Sequence, residues 1–155
     1  MQQLKILNTR ELKKLREHIV AEFGTFLKND YAYLQNDKGK IFLINKDLSR
    51  IELKNLKIDR IGLYFAESKD QQIRLSKEGA QLLFTEAKGK VERVVSLDQK
   101  EAELYFQGRE VEKDLTGESR SIILKYQDQI LGCARYKDKK ILNFLPKIHR
   151  RDVVL

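Results

Sequence analysis

Six cations, Lys137, Lys139, Lys140, Lys147, Arg150 and Arg151, stand against a single acid, Asp138, between Lys137 and Arg151. The chemistry such a block offers is phosphate neutralisation, because Lys and Arg aligned on a polyanion release its condensed counterions. About five of the chain's formal +8 charges fall here. Immediately before it, Leu131-Gly132-Cys133-Ala134 supplies a small-residue strand centre. Lys125 and Arg135 lie on predicted strands; each extends the patch if it alternates outward and needs an acidic partner if it faces inward. Asn143 brings an amide that either reads a base edge or sugar or closes a turn. Pro146 stiffens the chain ahead of Lys147, His149, Arg150 and Arg151. The candidate nucleic-acid contacts are therefore Lys125, Arg135, Lys137, Lys139, Lys140, Asn143, Lys147, Arg150 and Arg151. The competing explanation is a solvated charged face. Tyr126, Tyr136 and Phe144 interleave with these cations as a stacking platform requires, although core packing is the commoner use of such rings; Phe144 is expected inside and one tyrosine exposed.

The composition agrees with a folded, basic protein. In 155 residues, 41% are hydrophobic and 35% charged, with apolar and charged positions interleaved throughout, which suits one ordinary domain or two small ones rather than a disordered chain. An acidic membrane surface attracts the same charge as a nucleic acid. No apolar run of eighteen or more, signal peptide or lipidation motif accompanies it, so the expectation is a cytoplasmic protein with no membrane partner. The lone Cys133 excludes an intramolecular disulfide and a multi-cysteine metal site, and its neighbours place it as a small buried hydrophobe. His18 and His149 are far apart in sequence. With no glycine-rich phosphate loop, dinucleotide fingerprint, nucleophile elbow or metal-ligand spacing, the sequence gives no catalytic residue, metal or cofactor, and the expectation is a protein without enzymatic activity. Carboxylate pairs such as Glu101 with Glu103, or Asp59 with Glu67, are assigned to capping and solubility.

These residues need elements to position them. Asn8 or Thr9 caps a predicted helix through Phe23, with Leu12, Leu15 and Ile19 on one face and Gly24 as its stop. Tyr31 to Gln35 and Lys40 to Asn45 flank Asn36-Asp37-Lys38-Gly39 as a hairpin. Leu48 to Leu56 reads as a short helix, and Arg60 to Ala66 as a buried strand in which Gly62 marks a bulge. Ser76 opens a second helix that ends near Gly89, and Lys88-Gly89-Lys90 is the predicted boundary between domains 1–89 and 90–155. Val91 to Leu97 reads as a strand, and Asp98 with Glu101 starts a third helix closed by Gly108. Val111 to Leu115, Ser119 to Tyr126, Gln129 to Tyr136 and Lys140 to Phe144 are strands of a small barrel. Leu104-Tyr105-Phe106-Gln107-Gly108 resembles the core of a viral processing protease's recognition site. Ala102 stands where that site wants an acid, and the capped helix accounts for the segment, so the folded chain should resist that protease.

From Val91 to Arg150 the order of elements, with LGCARYKDKKILNFLPKIHR, resembles a PUA domain. It is similar to the PUA-like RNA-binding domain of Sun-family RNA cytosine-5 methyltransferases, which carries a Leu-Gly-x-Gly strand, a basic turn and a Lys-Asn-x-x-Pro-Lys element. Here these places are Leu131 to Ala134, Lys137 to Lys140, and Asn143, Pro146 and Lys147; Ala134 replaces the second glycine and Leu142 the lysine. The order of elements over the first 89 residues is similar to the pre-PUA domain of small ribosome-biogenesis factors. The resemblance implies an α+β fold, a pre-PUA-like α/β subdomain followed by a PUA-like β pseudobarrel. It also implies RNA binding in rRNA or tRNA maturation, with rRNA or tRNA as partner, alone or beside an RNA-modification enzyme or ribosome-assembly factor. Two rivals remain at this point. One is a protein-interaction adaptor, for which the helix over 9–23 would expose an apolar patch; the other is an enzyme acting on RNA, which would need an acidic or histidine cluster in a cleft.

Overall fold

The computed structural model describes residues 4–46, 62–69 and 72–143. The chain divides into two compact units, Met1–Glu92 and Arg93–Leu155, the division falling just beyond the Lys88-Gly89-Lys90 turn. The architecture is α+β.

The first unit contains β1 (Lys5–Ile6), α1 (Thr9–Phe23), β2 (Tyr31–Gln35), β3 (Lys40–Asn45), β4 (Leu63–Lys69), β5 (Gln72–Leu75) and α2 (Lys77–Glu86). Its five strands lie in sequence order, all antiparallel. In α1 the Asn8 side chain accepts from the Glu11 N–H while Glu11 reaches back to the Asn8 N–H, a complete capping box, and Gly24 ends the helix at φ 77. The four-residue recurrence of Leu15, Ile19 and Phe23 produces its buried stripe. The predicted hairpin forms over Tyr31–Gln35 and Lys40–Asn45, where Asn36 Oδ1 accepts from the Lys38 and Lys40 N–H groups and fixes the turn.

Both sheet faces carry buried residues. Phe26, Tyr33 and Phe65 form an aromatic cluster with ring centroids 5.9 to 6.3 Å apart. Ala32, Leu34, Phe42 and Ile44 form a second cluster. Gly62 does not mark the irregularity predicted there: it precedes β4, and the register shift falls at Phe65, because Ile41 faces Ala66 while Phe42 faces Tyr64. The extra residue lets Phe65 join the rings on its own side. Its carbonyl lies 2.0 Å from where a Cβ on Gly79 would sit, so only glycine allows α2 to pack this closely. Ser76 caps α2 through the Gly79 N–H and donates to the Tyr64 carbonyl, pinning the helix to β4. The segment 48–56, read as a short helix, lies outside the described residues.

The second unit contains β6 (Val94–Leu97), α3 (Gln99–Phe106), β7 (Val111–Glu112), β8 (Arg120–Tyr126), β9 (Gln129–Lys137) and β10 (Lys140–Leu142). These strands make a curled half-barrel sheet in the order β6-β8-β9-β10-β7, with β6 parallel to β8 and the other pairs antiparallel. Asp98 and Glu101 form the second capping box, and α3 presses Ala102 and Tyr105 onto Ile122, Leu124, Leu131, Ala134, Tyr136 and Ile141. Burying each large apolar side chain of this set contributes about 1.5–3 kcal/mol. The strand predicted over Val111 to Leu115 stops at Glu112, because the Leu115 N–H bonds to the Tyr136 hydroxyl instead of a ladder partner. Gly132 sits mid-strand at φ 148, a conformation that side chains rarely adopt, beside the β-bulge between Leu124 and Lys125.

Candidate nucleic-acid interface

Core packing decides which way the cations of the second unit point. Ala134, Tyr136 and Ile141 face the core. Strand alternation therefore places Arg135, Lys137, Lys140 and Leu142 on the opposite side, with Lys137 across from Lys140 and Arg135 across from Leu142. The connecting residues, Asp138 and Lys139, have φ values of 52 and 62, as in a type I′ hairpin turn. Such a turn favours Asn or Gly. A lysine at its second position and like charges at its closing pair are both unfavourable for folding alone.

The sheet order also brings acids to this hairpin. β7 pairs with β10, so Glu112 faces Lys140, and Glu110 Oε2 is 3.9 Å from Lys140 Nζ. Both members of that ion pair are about half exposed, which keeps its contribution to stability near 0–1 kcal/mol. Asp114 is exposed just beyond β7 and accepts from the Tyr136 hydroxyl. The Lys113 N–H donates to the Lys139 carbonyl at 3.1 Å, while its ammonium pairs with Glu101 at 3.1 Å. Lys137 and Lys139 project from the exposed turn, whereas Lys140 is partly countered. Nothing near Lys140 in sequence announces Glu110 and Glu112; only the crossing of β7 to the far edge of the sheet brings them together.

The remaining candidates separate from this cluster. Lys125 is half-buried near the other end of the β8–β9 hairpin, about 13 Å along β8 from Ser121, the residue paired with Arg135. Asn143 donates its amide to the carbonyls of Tyr105, at 2.6 Å, and Arg109, at 3.0 Å, so it closes the turn that follows α3. Lys147, Arg150 and Arg151, with Pro146 and Phe144, lie outside the described residues. Tyr136 is 2% exposed, and the Arg120 guanidinium stacks 4.9 Å from its ring centroid, so it is a core residue rather than a base platform. Tyr126 is half-buried against the same core. Cys133 is buried, as a small strand hydrophobe should be. Among the described residues no group of His, Cys, Asp and Glu has metal-site geometry.

Comparison with known proteins bears on this unit first. Residues 92–151 match the family model described as the methyltransferase RsmF PUA domain. They are a PUA domain resembling that of the Sun-family methyltransferases. The whole chain is similar to ribosomal RNA small subunit methyltransferase F of Aeromonas salmonicida (strain A449), 28% identical over 146 residues, and to the protein of the same name from Aeromonas hydrophila, 27% identical over 146 residues. Each alignment covers 94% of this chain, but the chain spans only 29% of the length of these relatives. The alignment therefore runs well beyond the PUA domain into the first unit. Within the PUA domain, the departure from Leu-Gly-x-Gly has a structural account. Gly132 supplies the unusual φ, whereas Ala134 is 1% exposed with its methyl packed in the core, so a side chain is accommodated there.

Proposed function

We propose that this chain is a non-catalytic RNA-binding protein of rRNA or tRNA maturation, modification or ribosome biogenesis, holding structured RNA on the basic face of its PUA domain. The observation that carries the proposal is the match of residues 92–151 to the PUA domain of an RNA methyltransferase, in a unit whose Arg135, Lys137 and Lys140 share one face. Lys137 and Lys139 are the leading phosphate contacts. Arg135, Lys140, Lys147, Arg150 and Arg151 extend them, Lys125 contributes from the other end of the sheet, and Asn143 holds the turn after α3. The role is positional: phosphate contacts set register while a few polar groups supply specificity. The small-subunit rRNA in the relatives' name makes that RNA the first to test. The site of action is the cytoplasm, and a separate RNA-modification enzyme or assembly factor is the natural partner. Among the described residues no helix is long and apolar enough to cross a membrane.

Two features weigh against the rivals. The outward face of α1 presents Arg10, Lys13, Lys14, Arg16 and Glu17, with Val20 as its only exposed large hydrophobic, so it lacks the apolar patch an adaptor would use. Among the described residues, an open cleft lined by Leu4, Lys5, Gln35, Asn36 and Asp37 holds two ionisable groups, one of them already bonded to Glu11, and no cluster of acids or histidines. The test is an affinity series against a small-subunit rRNA fragment, total tRNA and duplex DNA at several salt concentrations. RNA preference that persists at physiological salt is expected. Weak, indiscriminate binding that vanishes with salt would overturn the proposal in favour of a protein partner.

A further inference from the structure

We infer that the outer crest of α1 is a second phosphate-contact surface, in which Arg10, Lys13 and Lys14 bind the phosphate backbone of RNA; this rests on the RNA-binding reading above. These three residues fall on the side of the helix opposite Leu15, Ile19 and Phe23, and all three are exposed. Among the described residues of this unit, the ion pairs of Lys5 with Glu11 and Lys46 with Asp30, and the 3.3 Å approach of His18 to Glu22, involve none of them. Glu17 is the single acid on the crest. Arg16 adds a fourth exposed cation on its flank, with the guanidinium 5.5 Å from the Phe26 ring centroid.

The choice of a polyanion follows from charge complementarity. Residues 1–92 hold eighteen Lys and Arg against thirteen Asp and Glu, and residues 93–155 hold thirteen against ten. Both units are thus basic, and the first carries about five of the formal +8 charges. Side chains three and four apart on a helix stand about 5–6 Å from one another, so the three cations span some 6 Å of helix axis. A nucleic-acid strand presents successive phosphates on a comparable spacing. Recognition would run through the side chains and not through the helix end, because the capping box already satisfies the first-turn donors.

The test titrates the full chain and its variants with a small-subunit rRNA fragment at several salt concentrations. The crest variant is Arg10→Ala with Lys13→Ala and Lys14→Ala, in which alanine preserves helix propensity. A control of equal charge, Lys38→Ala with Lys69→Ala and Lys90→Ala, removes exposed cations elsewhere in the same unit. A hairpin variant, Lys137→Ala with Lys139→Ala, reports on the PUA domain. The crest variant should keep the parent's thermal unfolding midpoint, lose roughly tenfold or more in affinity, and flatten the log K against log salt slope by up to about 2 to 3, at 0.7–0.9 per contact. Equal losses in the crest and control variants would overturn the inference, since net charge alone would then act. An unchanged crest variant beside a weakened hairpin variant would overturn it while leaving the PUA-domain reading intact. A parent chain with no preference for RNA over duplex DNA would overturn both.

Discussion

Lys139 carries its charge on a left-handed backbone, φ 62, in a turn that glycine fits better. Backbone strain retained at an exposed cation points to a use for the charge. Replacing Lys139→Gly should therefore raise stability by about 0.5–1 kcal/mol in denaturant titration and lower RNA affinity in the same preparation; a stabilised protein with unchanged affinity would leave the lysine without a binding role. Glu86 shows the opposite case, a charged group serving the fold. Its carboxylate accepts from the Lys28 and Asn29 N–H groups and from the Tyr31 hydroxyl, tying the loop before β2 to the end of α2. Burial pushes its pKa up, but the Asn29 N–H, the Tyr31 hydroxyl and the Lys28 N–H outweigh it, and the net shift is downward from 4.5. A carboxylate whose folded pKa is depressed stabilises the fold fully above its unfolded value and loses that contribution as pH falls through the folded one. Glu86→Gln should cost about 1–2 kcal/mol near neutrality, and the difference from the parent should shrink below pH 4.5 when unfolding is followed against pH.

Strand β7 is only two residues long, yet it sets the electrostatics of the candidate interface. It docks on β10 and places Glu110 and Glu112 beside Lys140. Those acids repel phosphate within a Debye length of about 8 Å at physiological salt. Glu110→Gln with Glu112→Gln should tighten RNA binding by roughly two- to fivefold, with little change in the thermal midpoint because the exposed ion pair stabilises little. Weaker or unchanged binding would place the RNA away from this edge. Helix α3 makes the second test. Within the protease-like segment, Tyr105 is 2% exposed and Ala102 fully buried, so Leu104 to Gly108 cannot present the extended chain a protease needs. Cleavage after Gln107 should be negligible in the folded protein and should appear as the domain is unfolded with denaturant; rapid cutting under native conditions would show that α3 opens readily. This helix, its capping box and the β2–β3 hairpin were all legible in the sequence, since caps, turn residues and periodicity act over a few neighbouring positions. The bulge was misplaced from Gly62 to Phe65 because glycine is only one way to interrupt a ladder. Here the ring packing of Phe65 with Phe26 and Tyr33 takes the extra residue.

In the molecule as a whole, the formal charge of +8 is distributed differently from what the basic block Lys137 to Arg151 implies. The hairpin at Lys137 to Lys140 shares its sheet edge with acids, and the first unit brings an exposed basic helix of its own. The sequence by itself determined the basic character, the order of helices and strands, the capped starts of α1 and α3, and the likeness of residues 91–150 to a PUA domain. Each of these is written in composition or in short-range patterns. Only the tertiary structure decided that Arg135, Lys137 and Lys140 share a face, that Tyr136 belongs to the core, that the Asn143 amide closes a turn, and that Glu110 and Glu112 oppose Lys140. Those outcomes depend on strand order and on which face each strand buries. Both are fixed by packing between residues far apart in sequence, which local pattern cannot encode.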